Sequence, residues 1–526
     1  MRSVLPVLAL LALLTAFGGA GVAVAAPAAG PWRITRDHWG PEDERGFGAF
    51  VTALGQSGCN SAQSCLRSSA NPWRGSDGDF VDIDADCAKF PYLLRAYYAW
   101  KNGLPFGYAD GVAGERFSKG GNRIVSRAGI IDQGGGIDPR RAILAMMDNV
   151  FSGTYRVDPG STEGMPSDFY APALQPGSIR PGTVIYDPNG HVGIVWQVDA
   201  AGRIHYMDAH PDFTVSRSVY GAQFGQSPMR LGGGLKNWRP LRLEGARWNG
   251  RSFIGGRIVV ARQRDIADFS LVQYQGTDGQ GGFAYNGARL GFYEYVRAAV
   301  SGGRTDYNPT YELQATMQTL CNDLHDRAQA VQQAVANGIA AKPHPGGLPP
   351  DIYSSDDGEW EAYATPARDA RLRAAFVQFR RDLQRMIGLW LARDPRIVHD
   401  GQFLKDDLLR TYDAQSQACR ITFLTDDGRG DKRPVAMNFE GMARHLLAMS
   451  FDPYACEALR WGDTRPESCA DGADKRRWYA REAAMRAEIG RDEGGAGQAI
   501  SFADVDIRGL IAAMPARAPF VQRYPG

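Results

Sequence analysis

Three kinds of side chain that can carry out nucleophilic and acid–base chemistry follow one another along this chain: Cys87, then His191, then Asp208 and His210. A thiol becomes a strong nucleophile when a neighbouring base takes its proton. Imidazole is suited to that task because it titrates near neutral pH. A third polar group then fixes the imidazole tautomer and stabilises its charged form. Such a set attacks a carbonyl carbon and passes through a thioacyl intermediate. The plainer alternative for Cys87 is a buried structural thiol or half of a disulfide.

The chemistry depends on the elements that hold these residues. Cys87 precedes an apolar run in which Phe90, Leu93, Leu94, Tyr97, Tyr98 and Trp100 fall at helical spacing. Asp84 or Asp86 can cap that helix, and Pro91 is tolerated in its first turn. Gly103-Leu104-Pro105 ends it after about Asn102, and a strand is expected through Phe106-Gly107-Tyr108. Cys87 at the helix mouth would meet free N–H groups and the positive end of the dipole, both of which favour a thiolate. Further on, Thr183–Tyr186 is β-rich, Asp187-Pro188-Asn189-Gly190 is a turn, and His191–Val198 is a second strand. Asp199–Gly202 turns the chain into Arg203–His210. A turn centred between Ala200 and Ala201 sets His191 opposite His210, puts Asp208 on the same face, and turns His205 away. Spacing leaves the third residue open between Asp208 and His210. The carboxylate is favoured because it would stabilise an imidazolium more strongly.

The chain has 526 residues and a net charge of +1, enough length for two or three domains and no electrostatic case for nucleic acid. Residues 1–25 have the pattern of a signal peptide: Arg2, an apolar Val4–Phe17, then Ala23-Val24-Ala25. No later run is long enough for a membrane span, so a secreted or periplasmic protein is expected. In such a compartment the seven cysteines matter. Cys59 with Cys65, Cys456 with Cys469, and Cys321 with Cys419 make a reasonable pairing that leaves Cys87 free. No CxxC or HxxxH pattern suggests a metal, and no cofactor is expected. The glycine stretch Arg230–Leu235 lacks the Lys-Ser/Thr of a phosphate loop and is expected to be a flexible loop near the site. Residues 109–180 look irregular apart from a helix near Pro139–Phe151. Past Tyr307 the pattern turns helical, over Tyr311–Ala336, Ala367–Arg393, Phe439–Met449 and Lys475–Ile489. The expected architecture is α+β, with a catalytic domain over 26–305 and a helical domain over 306–526.

Asp86-Cys87 before an apolar helix, and Arg180-Pro181-Gly182-Thr183-Val184-Ile185-Tyr186 leading to His191-Val192-Gly193-Ile194-Val195, resemble the NlpC/P60 peptidases. Cys87 with Leu93-Leu94-Arg95-Ala96 and Gly103-Leu104-Pro105, and Asp208 after the histidine strand, look like the bacterial transglutaminase-like core. These resemblances cover roughly residues 80–110 and 178–212. They imply a papain-like fold and a thiol hydrolase acting on amide bonds, with peptidoglycan-type peptides as substrate. Acyl transfer is the alternative chemistry. A non-catalytic envelope-binding or scaffold protein on the same fold is the alternative to an enzyme.

One thiol should react with an alkylating agent in the unreduced, folded protein, and peptide mapping should place it at Cys87. Cys87 found in a disulfide would exclude a nucleophilic role.

Overall fold

The computed structural model describes residues 30–515 apart from 78–79, 81, 304–305, 346, 350–357, 427–431, 466–468, 470–471 and 492–496. The expected signal peptide lies outside the described residues. The chain mixes helix and strand, as an α+β protein does. Helices α1 (Pro41–Gln56), α2 (Ala62–Arg67) and α3 (Lys89–Lys101) come first. The stretch that looks irregular in sequence holds an antiparallel hairpin, β1 (Phe106–Ala113) with β2 (Arg123–Ile130), followed by α4 (Pro139–Asn149). Its glycines and the register shifts beside Gly111 hide the alternation that a strand normally shows.

The central sheet is six-stranded and antiparallel, in the order β3-β8-β4-β5-β6-β7. Its strands are β3 (Phe169–Tyr170), β4 (Val184–Asp187), β5 (His191–Val198), β6 (Ile204–Ala209), β7 (Val215–Val219) and β8 (Gly234–Trp238). The Arg230–Leu235 stretch runs straight into β8 and is not a loose loop. Gly232, at φ 65°, packs so tightly that a Cβ there would lie 2.3 Å from the Val157 carbonyl oxygen. After the single-turn α5 (Val272–Gln275) come α6 (Phe292–Val300), α7 (Pro309–Ala336), α8 (Gly358–Tyr363), α9 (Pro366–Leu391) and α10 (Leu404–Ala418). A hairpin of Arg420–Asp426 with Lys432–Asn438, which the sequence pattern does not signal, interrupts the helical half. The helix expected over Lys475–Ile489 is instead Gly472–Arg481, Ala483–Arg486 and a strand from Glu488. Among the described residues no helix is long and apolar enough to cross a membrane. Three disulfides form, Cys59–Cys65, Cys321–Cys419 and Cys456–Cys469, a count compatible with an extracellular protein. Cys87 is free and buried.

Helix α3 is the most enclosed element near the candidate nucleophile, since every residue from Phe90 to Lys101 is buried. A helix buried on all sides must satisfy its charges internally. Arg95 does so through Glu44, at 2.9 and 2.5 Å, while its guanidinium stacks 3.4 Å from the Trp39 ring centre. Lys101 pairs with Asp77. One core joins α3 to the sheet face carrying Val184, Tyr186, Val192, Ile194, Met207 and Ala209. The opposite face, with Ile185, Val195, Ile204 and Tyr206, packs on α6. A separate core runs from Tyr307 to Met514 and is built from α7, α9, α10 and the late hairpin.

α1 packs closely on β5 around Trp196. A Cβ at Gly55 would fall 2.3 Å from Trp196 Cγ, and Thr52 Oγ1 donates to the Trp196 carbonyl at 2.8 Å. Gly55→Ala should therefore destabilise the fold, by about 1–3 kcal/mol of overpacking that outweighs the gain of about 1 kcal/mol in helix propensity. Urea denaturation would measure it, and a stabilised variant would show that Trp196 moves aside freely.

Candidate active site

Asp86 shapes the start of α3 and so the setting of Cys87. Its Oδ1 accepts the backbone N–H groups of Ala88 and Lys89, at 3.0 and 3.1 Å. This corrects the expectation that the helix mouth would stabilise a thiolate. The free N–H groups are already taken, and by a carboxylate one residue from the sulfur. Burial, followed by the charge of Asp86, pushes the Cys87 thiol up to about 12, while Arg116, a backbone hydrogen bond from Val192 and Arg371 pull weakly the other way. Asp84 does not cap; it accepts from Gln63 Nε2.

The histidine strands meet as the spacing suggests, by a different route. The β5–β6 turn centres on Ala201, with Val198 opposite Ile204 and Gln197 opposite His205. A bulge at Trp196 then takes up one residue, and the pairing continues as Val195–Tyr206 and Ile194–Met207. Extended to the strand ends, that register sets His191 opposite His210. His205 is on the other face, beside Trp196 and Asp199. The ladder stops at Ile194–Met207, so the ends of β5 and β6 are open. The Cys87 sulfur lies at that opening, 4.0 Å from the Gly190 carbonyl oxygen and within reach of the Val192 N–H. Helix α3 packs on one face of the sheet; His191, Asp208 and His210 have the parity of the other. The thiol thus comes to the sheet edge from below and the imidazoles rise above it. Among the described residues no hydrogen bond joins thiol and imidazole.

The polar groups on the upper face form one network. His191 Nε2 donates to Asp208 Oδ2 at 2.5 Å. Ser216, on β7, donates to Asp208 Oδ1 at 2.6 Å, and His210 Nε2 donates to Ser216 Oγ at 2.7 Å. The two imidazole rings stack with centroids 5.4 Å apart. All three residues are nearly sealed, His191 at 6%, Asp208 at 3% and His210 at 4% exposure. Burial lowers His191 to about 4, helped by Arg371 and opposed by Asp208. Burial and Arg368 hold His210 well below its ordinary value. Burial alone would raise Asp208, but its histidine partners and Arg371 bring it well below the usual carboxylate range. The resting site is therefore an ionised carboxylate between two neutral imidazoles.

Several contributors escaped the sequence. Ser216 sits in the alternating Val215–Val219, a pattern that could have flagged it. Asp187, the partner of His191 across β4–β5, is raised to about 6 by burial. Arg368 and Arg371 come from α9, far along the chain, and nothing in the local sequence announces them. Arg368 makes a bidentate pair with Asp212, at 2.8 and 3.0 Å, and bonds Thr214 Oγ1 at 2.6 Å. Arg371 lines a cavity of 40 Å³ together with Asp208, His210 and Ser216. The helical half thus roofs the histidine face.

No protein-family model, curated protein or solved structure matches this chain. What the site can do rests on its own geometry. His191, Asp208 and His210 also offer three ligand atoms within 4.8 Å of one another, the donor types of a divalent metal site. Their hydrogen bonds are already mutual, and two guanidinium groups beside them depress both histidines, which makes the cluster a poor home for a cation.

Asp208 is the group that favours a proton on His191, so removing its charge should lower the His191 pKa below about 4. Imidazole resonances followed by NMR from pH 8 to 3 would test this. His191 should stay neutral through pH 6 in the wild type and titrate at still lower pH in Asp208→Asn. An unchanged or raised pKa in that variant would mean that Asp208 does not hold a proton on the ring.

Proposed function

We propose that this protein is an exported thiol hydrolase on a papain-like fold, cleaving amide bonds in peptides of the cell-wall type. The observation that carries the proposal is the 2.5 Å bond from His191 Nε2 to Asp208, at the strand end where the one free thiol lies. With the Nε2 proton held by Asp208, the lone pair is on Nδ1, the nitrogen available to Cys87. Nδ1 takes the thiol proton as sulfur attacks the carbonyl carbon. The imidazolium returns that proton to the departing amine as the C–N bond breaks. Water then attacks the thioester, its proton going to Nδ1, and the acid and free thiol are released. An amine in place of water would give acyl transfer by the same steps.

Asp208 supports this role better than His210. It contacts the ring directly, whereas His210 bonds Ser216 and stacks beside His191. His210 and Ser216 hold the carboxylate in place. A sealed thiol at about 12 favours a second reading, a non-catalytic binding or scaffold protein on the same fold. The enzyme reading requires the end of β5 and the turn before α3 to bring imidazole and thiol together when substrate enters.

The test is amine release from peptidoglycan stem peptides and blocked dipeptides, followed by mass spectrometry. Cys87→Ala and His191→Ala should each lose about 10²-fold or more in kcat. Asp208→Asn should lose far more than His210→Ala. Equal turnover in Cys87→Ala would exclude the thiol mechanism. No turnover on any peptide, with Cys87 unreactive to iodoacetamide in the folded protein, would favour the scaffold. Products joined to an added amine would identify acyl transfer.

A further inference from the structure

Away from the histidine network, at the β3–β8 edge of the sheet, two buried cations lie side by side and neither makes an ion pair with a carboxylate. Lys236 is 2% exposed and Arg239 4%. The Lys236 ammonium donates to backbone carbonyls only, Tyr155 at 2.8 Å and Val157 at 3.5 Å. Arg239 Nη1 donates to the Ala261 carbonyl at 3.1 Å, and its buried Nε has no partner. Asp158 acts on Lys236 only through its charge, and Asp168, which acts on Arg239, is committed elsewhere. It pairs with Arg127 and accepts from the Tyr92 hydroxyl at 2.5 Å and the Ala109 N–H at 2.9 Å. Buried charges are normally paired, because desolvation costs several kcal/mol per ion. Here burial and Arg239 lower the lysine to about 7, a strain that a counter-ion would relieve.

Both residues line a cavity of 370 Å³, large enough for a small ligand. Arg262 and Arg264 stand exposed at its mouth. Asp158 and Glu163 also line it, but Asp158 Oδ1 is turned to the Gly160 N–H at 2.7 Å. Four basic side chains thus face two acidic ones. We propose that this cavity is an anion-binding site in which Lys236 and Arg239 hold a carboxylate or phosphate group, with Arg262 and Arg264 drawing it in. Arg239 offers the planar donors that such oxygens accept, and Lys236 the point charge. The site is tied to the turn that carries Cys87. Tyr155, whose carbonyl holds Lys236, donates its hydroxyl to the Ala88 carbonyl at 2.7 Å.

The proposal does not rest on the hydrolase reading, and its test needs no turnover. The full chain is titrated with inorganic phosphate and, separately, with succinate, while Tm is followed against sodium chloride at equal ionic strength. At least one anion should raise Tm saturably. Lys236→Met and Arg239→Gln should each weaken its apparent affinity about tenfold or more, equivalent to about 1.4 kcal/mol. The Arg262→Gln/Arg264→Gln double variant, which changes only exposed side chains, should weaken it by a smaller factor. A response to phosphate alone identifies phosphate chemistry; a response to succinate alone identifies a carboxylate. No rise beyond chloride with either anion overturns the site. So does a rise that survives unchanged in the double variant and in whichever buried variants fold.

Discussion

The Asp208 carboxylate is the group on which the histidine face depends. It is ionised, nearly sealed from water, and reached by donors from two strands. His191 on β5 and Ser216 on β7 bond it, and His210, one residue past β6, closes the ring through Ser216. A buried charge of this kind is tolerated only when its surroundings are fully arranged around it. That requirement fixes the pairing of β5, β6 and β7, sets the His191 tautomer, and explains why α9 brings guanidinium groups to this face. Loss of the carboxylate would leave two imidazoles among cations with nothing to orient them.

The thiol is governed by the opposite condition. Asp86 spends the helix N–H groups on its own carboxylate, so Cys87 gains nothing from the helix start and is held protonated by burial. A protonated resting thiol is also protected from oxidation. For a protein whose other described cysteines are all in disulfides, that protection keeps the remaining sulfur from joining the exchange.

Much of this was legible in the sequence because it is written in local periodicity. The α3 helix, the His191–Val198 strand and the shared face of His191, Asp208 and His210 follow from spacing and turn residues, and the three disulfides match the pairing that the sequence suggests. The effect of Asp86 was open to misreading because a capping aspartate and a free helix mouth look alike before the side-chain rotamer is known. Only the start of β1, at Phe106–Tyr108, was legible, and the rest of the β1–β2 hairpin was hidden by its glycines and register shifts. Arg368 and Arg371 lay beyond reach for a different reason. Their position depends on how the helical half docks on the sheet, and that is set by tertiary packing between residues more than 150 apart, as the pairing of Asp212 with Arg368 illustrates.

The bulge at Trp196 has one more consequence. The loop between β5 and β6 is a half-step out of phase with the network beyond it, and the extra residue at Trp196 absorbs the difference. Surface loops drift in length as sequences diverge, and each added residue would otherwise invert every side chain downstream. Here a short elastic segment stands between the loop and the chemistry. With the offset taken up midway, the turn keeps its contact with α6 through the Ala201 carbonyl and Arg297 while the buried charges keep their side of the sheet.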